Sequence, residues 1–279
     1  MKFTKMHGVG NDYIYVNCFE EDLSAYDLPQ LAVKMSQRHF GVSSDGLILI
    51  QPSDVADLKM RMFNNDGSEG KMCGNGARCI ARYAYERGLV NKPQFTLETL
   101  SGIKTLTILD CDRVSVDMGV PEFEPAKIPV ALGGSRIVER ATQVVGRTFP
   151  MTCVSMGNPH AVLFMDEDPF QMKAFEIYGR MLENDDMFPE RVNVEFVQRV
   201  SDTRIRMRVW ERGSGETLAC GTGACASVVA ARLTGRTHGD KIRVSLRGGE
   251  LEVDWRGDGT PVVMTGSATF VFDGVWMDV

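Results

Sequence analysis

Apolar residues alternate with polar ones, or run unbroken for a few positions, in YIYVNC (13–18), GLILIQ (46–51), LKMRMF (58–63), HAVLFM (160–165), RIRMRVW (204–210) and IRVSLR (242–247). Each stretch predicts a strand. Arg204, Arg206 and Arg208 alternate with Ile205, Met207 and Val209, which predicts a strand with one solvated face. Helical spacing predicts helices over 29–38, 75–87, 169–182 and 222–234, with Gly88 and Gly235 placed for left-handed C-caps. Residues 224–233 (ACASVVAARL) are apolar almost all round, so the last of these helices is expected at the heart of its domain. The proline-rich DMGVPEFEPAKIP (117–129) marks the boundary between two halves, residues 1–117 and 118–264. ATFVFDGVW (268–276) lies in a C-terminal strand, about 265–279, expected to return to the first half.

The halves repeat one another. Shifted by 147 residues, FNNDGSEGKMCGNGARC (63–79) falls on WERGSGETLACGTGACA (210–226) with five identities in seventeen positions. Glu69 meets Glu216, Cys73 meets Cys220, and Gly74, Gly76 and Ala77 meet Gly221, Gly223 and Ala224. The same shift lays Gly10-Asn11 on Gly157-Asn158. Glycine-rich turns recurring by chance are the alternative, but gapless agreement at two separated places points to a diverged duplication.

Composition adds exclusions. A chain of 279 residues that is 43% hydrophobic and 24% charged reads as an ordinary globular α/β (mixed α+β) protein. No apolar run approaches the roughly 20 residues of a membrane span, and MKFTKMHGVGNDY lacks the apolar core of a signal peptide, so a cytoplasmic protein with no membrane partner is expected. A formal charge of −6 with scattered Lys and Arg offers no basic face, which argues against nucleic acid. Seven cysteines, Cys18, Cys73, Cys79, Cys111, Cys153, Cys220 and Cys225, are an odd number that fits no disulfide framework.

Cys73 and Cys220 need their own explanation. Each stands just before a predicted helix whose first N–H groups have no intrahelical partner, and the glycines beside them let a ligand approach. Such an end is a carboxylate pocket, and its positive pole is expected to lower the thiol pKa from about 8.5. With two such ends nose to nose on one substrate, one thiolate would remove an α-proton while the opposite thiol supplied another, inverting the centre. The amides would stabilise the charge moving onto the carboxylate. Other readings are open on the same residues. A zinc site from Cys73, Cys79, Cys220 and Cys225 would use spacings of six and five along helices, unlike the short knuckle. A Cys73–Cys220 disulfide would be damage or regulation. Inert packing suits Cys79 and Cys225. A pyridoxal enzyme would need Lys71, whose counterpart is Leu218 and which reads as solvent-facing.

MHGVGNDY, FNNDGSE, CGNGARC, SMGNPH, FPERVN, ERGSGET and ACGTGACA together resemble the diaminopimelate epimerase family, in order and nearly end to end. The resemblance implies two pseudo-symmetric domains, each a mixed β-sheet rolled around a central helix, with the active site in the interdomain cleft. It implies a homodimer that interconverts LL- and meso-2,6-diaminoheptanedioate with no cofactor and no metal. It assigns acid and base roles to Cys73 and Cys220, helped by His160 and Glu211. It gives Gly74-Asn75 and Gly221-Thr222 the reacting carboxylate, and Asn11, Asn64, Asn158, Asn193, Glu211 and Arg212 the rest of the pocket. Some relatives carry Gln where this chain has Gly46, which could offer only backbone. Two rivals are carried forward: a proline or hydroxyproline racemase of the same fold, and a non-catalytic amino-acid binding module.

Overall fold

The structure, a computed structural model, describes residues 1–110 and 112–277. Cys111 and the last two positions of the expected C-terminal strand lie outside the described residues. In chain order the elements are β1 (Lys2–Gly8), β2 (Asn11–Asn17), α1 (Leu28–Ser36), β3 (Gly46–Gln51), β4 (Leu58–Asn64), β5 (Glu69–Gly70), α2 (Gly74–Glu86), β6 (Gln94–Thr99), β7 (Gly102–Ile108) and β8 (Arg113–Gly119). They continue with β9 (Arg140–Val144), β10 (Arg147–Ser155), β11 (Pro159–Met165), α3 (Phe175–Glu183), β12 (Asn193–Ser201), β13 (Arg204–Glu211), β14 (Gly215–Glu216) and α4 (Gly221–Leu233). β15 (Lys241–Leu246), β16 (Gly249–Asp254), β17 (Val262–Ser267) and β18 (Thr269–Val275) close the chain. The chain divides into two compact units, Met1–Asp117 with Thr265–Val279, and Met118–Met264.

In the first unit the strands pair in the order β18-β1-β2-β3-β4-β6-β7-β8, parallel at β2/β3 and β4/β6 and antiparallel elsewhere. In the second the order is β9-β10-β11-β12-β13-β15-β16, parallel at β11/β12 and β13/β15. The 147-residue shift survives as register. Ile14 pairs with Leu47 and Ala161 with Val194; Leu47 pairs with Phe63 and Val194 with Trp210; Leu58 pairs with Leu97 and Ile205 with Val244. A one-residue slip would turn each strand's apolar face outward, so buried faces on both sides hold the register.

Alternation along the strands sends successive side chains to opposite faces. Leu47 and Leu49 of β3 pack with Leu31, Ala32 and Met35 of α1, while the neighbouring Ile48 lies against α2. In the second unit Val194 and Phe196 of β12 join Phe175 of α3 and Trp210, and Phe196 meets the Phe175 and Phe149 rings edge-on at 5.4 and 5.9 Å. α4 packs against β10, β11, β12, β13, β15 and β16, and from Gly223 to Ala231 it is buried on every side. Its run of small residues lets the strands close around it.

Two expectations change in detail. The helix expected over 169–182 is a single 3-10 turn, Pro169–Gln171, followed by α3. Asp168 caps the turn at the Phe170 N–H, and the chain then leaves in an extended conformation that carries Met172 into the core. The arginines of β13 are also less solvated than alternation predicts. Arg206 pairs with Asp168 at 2.6 Å, and Arg208 stacks 3.8 Å from the Phe175 ring centre while pairing with Glu216.

Candidate active site

Each repeat places a cysteine at the N-cap of its buried helix. Cys73 has φ −130° and ψ 117°, and its sulfur accepts from the Gly76 N–H at 3.3 Å; Cys220 has φ −121° and ψ 114° and accepts from the Gly223 N–H at 3.4 Å. Sulfur takes the place that a Ser or Asp oxygen holds in an ordinary cap. The next residues of each helix start, Gly74-Asn75 and Gly221-Thr222, leave amide groups with no helical acceptor.

In the first unit the Cys73 thiol donates to Asn11 Oδ1 at 3.3 Å, and the same oxygen accepts from Asn75 Nδ2 at 3.1 Å. Asn11 Nδ2 donates to Asp45 at 2.7 Å, and burial raises the Asp45 pKa above the ordinary carboxylate range. Behind Asn75 lies Arg78, fully buried, donating to Asn75 Oδ1 at 2.8 Å and to the Ser267 carbonyl at 3.2 Å. Asn64 ends β4 opposite Gly46 and donates to Ser68 at 3.0 Å. A Cβ on Gly46 would lie 2.1 Å from the Phe63 carbonyl oxygen, so this position has room for glycine alone.

In the second unit Thr222 Oγ1 lies 3.5 Å from the Cys220 sulfur and accepts from Asn158 Nδ2 at 3.3 Å. Asn158 Oδ1 is 2.9 Å from His160 Nε2, and His160 Nδ1 is 2.7 Å from Glu195 Oε1. His160 thus reaches Cys220 only through Asn158 and Thr222. Glu211 stands beside Cys220 and accepts from Thr217. Asn193 is spent on the backbone, donating to the Pro159 carbonyl at 2.8 Å and accepting from the Arg212 N–H at 3.0 Å. That hold leaves the Arg212 side chain one backbone acceptor, the Glu190 carbonyl at 3.0 Å, and among the described residues no carboxylate pairs with it.

The expected lowering of thiol pKa does not hold at Cys220. Burial pushes this thiol well above its ordinary value, and the Glu211 and Glu195 carboxylates push it further than Thr222 and the Gly223 N–H can pull it down. A helix pole acts over one turn with partial charges, whereas burial and nearby full charges act on the same sulfur more strongly. Cys79 and Cys153 are buried in the core, and burial raises their thiols to about 11 and about 12. Lys71 is exposed. The shared Glu69 and Glu216 belong to a repeated ion pair with Arg61 and Arg208, each at 2.7 Å, and their recurrence is structural. Among the described residues no three His, Cys, Asp or Glu side chains gather as metal ligands.

Arg78 and Glu195 escape a reading of the sequence alone. Each nonetheless leaves a signal there: a charge on the apolar side of a helix in CGNGARC, and a charge in the middle of the apolar run VNVEFV.

Comparison with known proteins bears on the whole chain. A family model described as diaminopimelate epimerase matches residues 3–124 and 152–271. Proteins named diaminopimelate epimerase from Acetivibrio thermocellus and Bacillus cytotoxicus are each 50% identical, covering 98% of this chain and 98% and 96% of their own lengths. Among solved structures, a hydroxyproline epimerase from Agrobacterium vitis superposes with a TM-score of 0.71 at 17% identity, over 98% of this chain and 91% of that one. A Bacillus anthracis protein of the PhzF family gives 0.68 at 16% identity, over 99% of both chains. At these identities the two structures speak for the fold alone.

Proposed function

The chain belongs to the diaminopimelate epimerase family, and from that membership we infer that it interconverts LL- and meso-2,6-diaminoheptanedioate by proton transfer at one α-carbon, in the supply of lysine and peptidoglycan precursors. It is an isomerase. The observation that carries the mechanism is the doubled cap: in both repeats a cysteine sulfur sits on the third helical N–H, with unpaired amides beside it.

We assign Cys73 and Cys220 as the acid and base. One sulfur, as thiolate, takes the α-proton and becomes a thiol; the electron pair left on carbon spreads into the carboxylate. The other thiol delivers its proton to the opposite face and becomes the thiolate. No atom is gained or lost, and the return reaction exchanges the roles. The amides of Gly74-Asn75 and Gly221-Thr222 are the groups suited to the carboxylate as it takes up charge. Arg212, free of carboxylate partners among the described residues, suits a distal carboxylate held in a fork. Glu211 and the oxygens of Asn11, Asn64 and Asn158 suit ammonium groups.

The raised pKa of Cys220 fits the acid half of this chemistry, since a thiol that keeps its proton has one to deliver. No disulfide joins the six described cysteines, and no helix among the described residues is long and apolar enough to cross a membrane. A homodimer is part of the proposal. β18 pairs with β1 on one side, and the exposed apolar Val271, Phe272 and Val275 along it are groups that a second copy would cover.

The deciding experiment is incubation of reduced, metal-free protein with LL-diaminopimelate in deuterated water. Deuterium enters the α-position of the meso product because the delivered proton comes from an exchangeable thiol. Epimerisation without deuterium at that carbon, or binding without exchange, would defeat the reading.

A further inference from the structure

The duplication supplies an internal control for one residue to which the chemistry above gives no part. Shifted by 147 positions, Glu195 of β12 corresponds to Ile48 of β3. Both side chains occupy the same slot beneath the first turn of the buried helix. A Cβ on Gly76 would lie 2.5 Å from Ile48 Cδ1, and a Cβ on Gly223 would lie 2.7 Å from Glu195 Oε1. The first repeat fills the slot with an aliphatic group and packs fully, so packing does not call for a carboxylate there. Burying a charge in place of a methyl is unfavourable unless the charge has work to do.

The surroundings of Glu195 point to that work. Its residue is 0% exposed, Oε1 is 2.7 Å from His160 Nδ1, and Oε2 is buried with no hydrogen-bond partner among the described residues. The missing Cβ of Gly223 would also lie 3.3 Å from the Cys220 sulfur, so carboxylate and thiol close on one point from two sides. His160 meets an acceptor at each ring nitrogen, Glu195 at Nδ1 and Asn158 at Nε2, and Asn158 in turn holds the Thr222 hydroxyl near Cys220. A hydrogen-bonded chain therefore runs from a buried anion to the sulfur through three side chains. Other titratable groups around it are Glu211 on β13, next to Cys220, and Cys153 on β10, near Glu195.

We propose that Glu195 is a positioning residue of the epimerisation: it fixes the His160 ring, and through Asn158 and Thr222 the hydroxyl at Cys220, while setting the charge the sulfur experiences. This rests on the functional reading above. Carboxylates that orient a working imidazole through Nδ1 play this part in other enzymes.

Glu195→Gln keeps the shape and an acceptor for Nδ1–H but removes the charge. It is expected to lower kcat about tenfold or more with KM within about twofold, since the residue does not touch substrate. Mass-spectrometric alkylation of the Cys220 peptide in the unliganded protein should shift its pH midpoint downward by about one unit, because a neighbouring negative charge has gone. Glu195→Asp should restore the midpoint and leave kcat reduced. Wild-type kcat with an unmoved midpoint overturns the proposal, and so does a loss of kcat that follows melting temperature while the midpoint stays put. A measurement on the unmodified protein stands beside the variants should Glu195→Gln not fold. The chain has four histidines, and NMR of nitrogen-15-labelled His160 should show a proton on Nδ1 that exchanges slowly; a bare Nδ1 overturns the proposal. Wild-type protein inert toward diaminopimelate would sink the functional reading alone, while the NMR signal and the alkylation midpoint would still decide what Glu195 does to this site.

Discussion

The two sulfurs carry the first predictions. Cys73→Ser and Cys220→Ser are each expected to cut turnover by about a hundredfold to ten-thousandfold, because a serine hydroxyl is too weak an acid either to supply the proton or to ionise to the base near neutral pH. Near-normal rates in either variant would remove the two-thiol mechanism. Protonation state is a separate matter. At Cys220, burial and the charges of Glu211 and Glu195 favour the thiol, so alkylation of this residue in the unliganded protein should follow a pH profile displaced above the free-cysteine value of about 8.5. A midpoint at or below that value would contradict the account. The Cys73 environment is of another kind: amides of Asn11 and Asn75, with the buried guanidinium of Arg78 one step behind. One motif, written twice, has been given two electrostatic settings.

Among the elements, the helix starts are held in place by what lies beneath them. Gly76 and Gly223 have ordinary helical backbone, and what forbids a larger residue is space: Ile48 Cδ1 at 2.5 Å in one case, Glu195 Oε1 at 2.7 Å in the other. Gly76→Ala can be absorbed by rotation of an aliphatic chain end and should cost about 1–3 kcal/mol of stability. Gly223→Ala presses a methyl on a buried carboxylate whose partners are fixed, so it should cost activity beyond any loss in stability; equal activity in the two variants would count against this. On the far face of the second sheet, Phe196 meets two rings and is 0% exposed, and Phe196→Ala should lower unfolding free energy by about 3–5 kcal/mol in urea titration. The predicted strands and the two repeated helices agree with the structure to within a residue or two, because an apolar period of two or of 3.6 persists through each. The single helix expected at 169–182 gives way because its apolar spacing continues through an extended Met172; a side-chain cap and a core pocket for that residue override the pattern.

For the whole molecule, the buried thiols set a limit on alkaline stability. Burial raises Cys79 to about 11 and Cys153 to about 12 and pushes Cys220 up as well. The unfolded chain releases these protons near 8.5 while the folded chain keeps them, so their contribution is complete below about pH 8.5 and is lost as pH rises toward 11–12. The melting temperature should accordingly fall across that window; a flat profile would mean the thiols are not held as described. The duplication, its 147-residue offset, the strands and the buried helices were all legible along the chain, because apolar period and glycine placement are local properties. The sequence also singled out Cys73 and Cys220, since a motif repeated at one offset has few structural excuses. What stands behind Cys220 is set by tertiary packing between elements. Glu195 of β12 is brought to Cys220 by the packing of α4 on that strand, across about 25 residues of sequence, whereas Arg78 sits on the helix that Cys73 caps and reaches Asn75 within that helix. Electrostatic effect depends on distance through space and on the water excluded along the way, and neither quantity can be read from neighbours in the chain.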